Sequence, residues 1–174
     1  MEKMIWYAAY GSNLLRERFL HYILGGTCRF NGKPYKGCTD KTPPLDTQPA
    51  DMPYPMYFGN RSSSWHGCGV SFLDVESSGH AYGRLWLITE SQFLDVWEQE
   101  GPGQAWYPDR ISLGIRKEDG IEMATLTNRV RRNFCEPHPD YLEVLRLGLR
   151  ETYPDMPDNI MADYLEASQA RHRS

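Results

Sequence analysis

The sequence is poor in the features that would give it a metal, a nucleotide, a membrane span or a disulfide framework. Its 174 residues include 4 cysteines, Cys28, Cys38, Cys68 and Cys135. None forms a CxxC pair, so a thiolate zinc site has no support. No GxGxxG follows the first predicted strand, which removes the usual dinucleotide fingerprint. No run reaches the roughly 18 apolar residues that a membrane span requires. The opening residues MEKMIWYAAYGS carry neither a long apolar core nor a basic leader, so no signal peptide is expected. Free thiols in a reducing cytoplasm are the simplest expectation. Positive charge is not in excess either, with 19 Lys and Arg against 23 Asp and Glu and a formal net charge of -4. Nucleic acid and anionic membrane both favour a basic face, and neither is expected as a partner. The local run Arg129, Arg131, Arg132 reads as a solvated face, with a small positive patch as the alternative. No internal repeat is visible.

What is present is the composition of a folded domain, 40% hydrophobic and 24% charged. A chain of this length buries roughly 70% of its extended surface, enough for a core without staples. One domain over residues 1–168 with a flexible tail at 169–174 is expected.

The run Ile5–Ala9 reads as an interior strand that stops at the turn residues Tyr10-Gly11-Ser12-Asn13. Leu14, Leu15, Phe19 and Ile23 then recur at helical spacing, with Arg16, Glu17 and Arg18 free to face water. Ser12 or Asn13 would cap this helix, and Gly25-Gly26 would end it. Residues 27–51 lack periodicity and read as a long loop, either a cover over a site or an insertion. Further strands are predicted over Tyr54–Phe58, Cys68–Val75, Ala81–Ile88, Ile111–Ile115 and Ile121–Thr127. Thr89 and Gln92 make a capping box for a helix running to about Gln99, and two more helices follow over Pro139–Leu149 and Pro157–Leu165. Several strand connections are too short for a crossover helix. The expectation is therefore an α+β domain with a closed or nearly closed mixed sheet.

The octapeptide Tyr7-Ala8-Ala9-Tyr10-Gly11-Ser12-Asn13-Leu14 resembles the signature of γ-glutamylcyclotransferase-like proteins. Three blocks agree with it: Trp65-His66-Gly67, the strand Ala81-Tyr82-Gly83-Arg84-Leu85-Trp86, and Glu98-Gln99-Glu100-Gly101 with Tyr107 beyond it. The resemblance runs from Trp6 to about Tyr107 and weakens toward Asn128. It implies a small mixed β-barrel with flanking helices. It also implies an enzyme that converts γ-glutamyl amines to 5-oxoproline and a free amine, with no cofactor and a small-molecule γ-glutamyl substrate. On that pattern Glu100 is the acid/base carboxylate, and Tyr10, Gly11, Ser12, Asn13 and Leu14 form the binding loop. The sequence departs from the pattern in the length of residues 27–51 and in the stretch after Thr127. Both departures bear on the amine pocket.

Cyclisation makes the substrate's own α-amine attack its γ-carbonyl, so the site must hold the chain curled. One carboxylate can accept and return the proton, and partial burial would bring its pKa toward neutrality. Glu100, at a predicted helix end among Trp97, Trp106 and Tyr107, suits that task, and Glu98 should point elsewhere. Backbone N–H groups of Gly11, Ser12 and Asn13 could bind a carboxylate or oxyanion, against the plainer reading of a capped turn. Tyr10 and Tyr107 are candidate donors to the substrate's α-carboxylate. Trp65 and Trp86 read as core or pocket wall. His66 is a candidate second base, with a hydrogen-bonded structural histidine as the alternative. Cys38 and Cys68 sit in no catalytic motif. Entry of Arg84 or Arg129 into the pocket, the leaving amine and the oligomeric state, dimer included, stay open. Two other readings stand beside the first: a related enzyme acting on a larger modified amine, and a binding protein that has lost catalysis.

Overall fold

A computed structural model describes residues 2–171 of the chain. The first strand, β1 (Met4–Ala9), lies at the centre of a five-stranded mixed sheet. It is antiparallel to β7 (Ala81–Thr89), with Met4 opposite Thr89 and Ala9 opposite Arg84. On its other side it is parallel to β9 (Glu122–Thr127), which forms a hairpin with β8 (Asp109–Ile115). Side chains of β1 alternate between two cores. Ile5, Tyr7 and Ala9 meet Phe19, Ile23, Phe93 and Val96 from two helices, α1 (Arg16–Leu24) and α2 (Glu90–Glu100). Trp6 and Ala8 face the other way, into a core shared with α3 (Pro139–Thr152) and α4 (Asp158–Gln169). Burial on both faces explains why β1 has no polar position.

Two sequence expectations change here. Residues 27–51 are not one long loop. They contain the short pair β2 (Gly26–Thr27) and β3 (Pro34–Tyr35), and then β4 (Asp46–Met52), which pairs along β7 at the sheet edge. An edge strand needs only backbone pairing, and the polar DTQPADM with its internal Pro49 gives no apolar alternation to read. The mixed sheet is present, but no closed barrel is found. Among the described residues β4 and β8 remain the edges, and β5 (Met56–Ser62) pairs with β6 (Cys68–Leu73) as a separate ribbon. At the seam between β6 and β9, Thr127 Oγ1 accepts from Leu73 N at 3.0 Å and donates to Leu73 O at 3.3 Å. A hydroxyl thus stands where a barrel would have a backbone ladder.

Local chemistry accounts for the helix ends. Thr89 Oγ1 accepts from Gln92 N at 3.1 Å, and Gln92 Oε1 accepts from Thr89 N at 3.0 Å, the reciprocal capping box. Gly25, at φ 84°, ends α1 with its N–H on His21 O. The expected cap at Ser12 or Asn13 is not used. Those residues make a 3-10 turn (Ser12–Leu14), and Glu151 of α3 accepts from Arg16 N at 2.8 Å instead. Of the tail expected at 169–174, Gln169 still belongs to α4, and residues 172–174 lie outside the described residues. No described helix is long and apolar enough to cross a membrane.

Candidate functional site

The turn after β1 and the C-terminal end of α2 converge at one end of the sheet. Glu100, the last residue of α2, meets the turn through Asn13, whose Nδ2 donates to Glu100 Oε1 at 2.7 Å and to the Tyr7 hydroxyl at 3.1 Å. Asn13 is itself held by Trp86 of β7, whose Nε1 donates to Asn13 O at 3.0 Å. Leu14 packs in the core, and its carbonyl accepts from Arg84 Nη1 at 2.9 Å. It therefore supports the loop from beneath and lines neither chamber described below. Gly11 is required by close approach: a Cβ there would lie 3.0 Å from the Tyr141 hydroxyl and 3.1 Å from Ser71 Cβ. Among the described residues the N–H groups of Gly11, Ser12 and Asn13 donate to no protein acceptor.

Two adjoining chambers open on Glu100. The first is lined by Tyr7, Tyr10, Gly11, Ser12, Asn13, Ser71, Glu100, Tyr107, Leu126 and Tyr141. The walls of the second include Arg18, Tyr22, Tyr35, Trp65, Gln99 and Trp106. Ser12, Glu100, Tyr107 and Tyr141 belong to both, so the carboxylate sits at the junction. Burial raises the Glu100 pKa. The positive charge of Arg18 and hydrogen bonds from Asn13 and Tyr22 act in the opposite direction and do not cancel the rise. Glu98 is exposed and lines neither chamber.

No family model matches the chain. Histone deacetylase 5 of Arabidopsis thaliana is 38% identical over 154 residues, covering 71% of this chain and 23% of that protein, so the chain spans less than a quarter of this relative. Gamma-glutamylcyclotransferase of Homo sapiens is 26% identical over 152 residues, covering 86% of this chain and 72% of the relative. A solved structure of a gamma-glutamyl cyclotransferase superposes with a TM-score of 0.61 at 20% identity, covering 94% of this chain and 87% of the other. The chain resembles gamma-glutamylcyclotransferases in sequence and shares their fold.

The remaining sequence candidates separate clearly. Tyr10 and Tyr107 both line the first chamber, yet their hydroxyls donate to Leu126 O at 2.7 Å and Ser71 O at 2.8 Å. With those protons committed, they offer a ligand lone pairs rather than donors. Burial raises both pKa values well above the usual tyrosine range, so both stay protonated. Trp65 walls the second chamber and meets the Tyr141 ring edge-on at 4.9 Å, whereas Trp86 is core. His66 lies outside both chambers, 3.0 Å from Asp140 and beside His138, in agreement with the structural alternative. His66, His138 and Asp140 each bring a potential metal-ligand atom within 4.8 Å of the others, at the surface. All four cysteines are free, and burial pushes the Cys38 thiol up to about 12, which disfavours a thiolate nucleophile there. Arg84 pairs with Glu151 outside the chambers, and Arg129 is exposed.

Arg18 is the residue that the sequence pattern did not reveal. Expected to face water, it is only 2% exposed, with its guanidinium 4.6 Å from the Tyr22 ring centre and 4.4 Å from that of Tyr35. Its Nη2 donates to both hydroxyls, at 3.1 and 2.9 Å. A signal existed: Arg18 stands four residues before Tyr22, on one helical face with it.

Proposed function

We propose that the protein is an enzyme of intramolecular acyl transfer, releasing 5-oxoproline and a free amine from a γ-glutamyl amine or dipeptide. The observation that carries this reading is the position of Glu100. It sits at the junction of two chambers with its pKa raised by burial, hydrogen-bonded to the turn whose backbone N–H groups are unspent.

In the proposed reaction the glutamyl half lies in the first chamber against Gly11 and Ser12. Tyr10 and Tyr107 accept hydrogen bonds from its α-ammonium group, while Asn13 and Leu14 hold the loop in register. Glu100 takes a proton from the ammonium, and the freed amine attacks the γ-carbonyl. The oxyanion is stabilised by the backbone N–H groups of the turn. The bond to the leaving nitrogen then breaks as Glu100 returns the proton to that nitrogen, and the second proton of the ring nitrogen follows by way of the same carboxylate, so that the amine departs as an ammonium and the ring keeps a single N–H. Substrate and products balance without water or a redox partner.

Glu100 lines both chambers, and residues 27–51 contribute Tyr35 to the wall of the second. The position of Glu100 favours a catalytic role over a purely binding one. The test is 5-oxoproline release from a panel of small and bulky γ-glutamyl amines, with Glu100→Gln as control. Release by the wild type and a loss of roughly 10²–10⁴-fold in the variant are expected. Near-normal turnover by a folded Glu100→Gln would overturn the mechanism.

A further inference from the structure

Arg18 is the only basic residue lining either chamber, among the described residues. Among the described residues it forms no ion pair with a carboxylate, and its Nε and Nη1 are buried without a hydrogen-bond partner. A guanidinium remains charged at any physiological pH, and a buried charge with unmet donors is costly unless something anionic uses it. Glu100 feels this charge, but its carboxylate already accepts from Asn13. The guanidinium is also held in place. Tyr22 and Tyr35 flank it and fix Nη2 through their hydroxyls. Tyr35 comes from β3, within the segment that the sequence singled out as unusually long.

We propose that Arg18 is the specificity determinant of the second chamber, where it takes a carboxylate carried by the amine half of the substrate. The inference rests on the reaction proposed above. If the glutamyl half occupies the first chamber and the scissile amide lies at Glu100, the amine half extends toward Arg18. The first chamber has no cation, so the two halves are sorted by charge as well as by shape. A charge-assisted hydrogen bond in a water-poor site discriminates strongly against a ligand that lacks the anion.

The experiment compares γ-glutamyl-L-alanine with γ-glutamyl ethylamine, which differ only in that carboxylate. The wild type is expected to favour the alanine compound by about 30-fold in kcat/KM. Arg18→Met should bring the ratio to within about 3-fold of unity, and Arg18→Lys should restore part of it. Tyr35→Phe keeps the ring but frees the guanidinium and should lower the ratio, which provides a second variant if Arg18→Met fails to fold. Calorimetric binding of the same pair to Glu100→Gln should show the same preference. A wild-type ratio near one, or a ratio unchanged in folded Arg18→Met, would overturn the inference. If neither compound yields 5-oxoproline, the reaction fails but the binding pair still decides. A carboxylate preference that Arg18→Met removes supports the anion subsite, and equal affinities dismiss it.

Discussion

Asn13 donates its side-chain amide to Glu100 across 2.7 Å, although 87 positions separate the two residues in sequence. That bond ties the turn after β1 to the end of α2. It makes the carboxylate's charge and position depend on a residue in the loop that is proposed to hold the substrate.

Removing the amide should therefore act through Glu100. The Asn13 hydrogen bond favours the ionised carboxylate, so Asn13→Ala should move the acid limb of the kcat/KM–pH profile to higher pH. Loss of positioning should also lower kcat/KM by about 10–100-fold. A profile that keeps its acid limb would show that Asn13 does not act through Glu100.

Glu100 should also cost the fold stability at neutral pH. Its folded pKa is raised above the unfolded value, so the folded state binds the proton more tightly. The stabilising contribution is complete below the unfolded value of about 4.3 and is lost as pH rises through the folded one. Urea midpoints for wild type and Glu100→Gln should thus diverge from pH 4 to pH 8, with the glutamine form gaining. Parallel midpoints across that range would contradict the sign.

Gly148 lets α3 lie directly on the loop. A Cβ there would fall 2.6 Å from Leu14 Cβ and 2.8 Å from Leu15 N. Gly148→Ala is expected to destabilise by about 1–3 kcal/mol and to lower turnover by displacing the turn. Gly103, where an added Cβ would meet nothing within 4 Å, serves as control. Gly103→Ala should stay within about 0.5 kcal/mol of the wild type in the same denaturant titration.

Glu151 supports two elements, accepting from Arg84 and from the first N–H of α1. Glu151→Ala leaves the largely buried Arg84 without its counter-ion. Glu151 is partly exposed, so the cost should be about 1–3 kcal/mol. Arg84→Met combined with Glu151→Ala should cost less than the sum of the single changes. Strict additivity in that cycle would mean the pair is not coupled.

Much of the site was legible because its signals are local. The capping box at Thr89 and Gln92 depends on residues three apart, and it placed α2 and hence Glu100 at a helix end. The octapeptide ending at Leu14 located the turn after β1 in the same way. The role of Asn13 was less legible: the sequence offered its backbone N–H, and the structure uses its side chain to hold the carboxylate.

The chain's pattern alone determined the helices, the interior strand and the residues that carry the family likeness, because periodicity and caps are written within a few neighbouring positions. Tertiary structure decided the rest. Strand β4 carries no apolar alternation because an edge strand is held by backbone pairing to β7, and closure of the sheet depends on which distant edges meet. A basic residue on a helix ordinarily reaches water. Arg18 does not, because Tyr35, 17 residues further on, folds back over it, and only the assembled chamber leaves its remaining donors facing no partner.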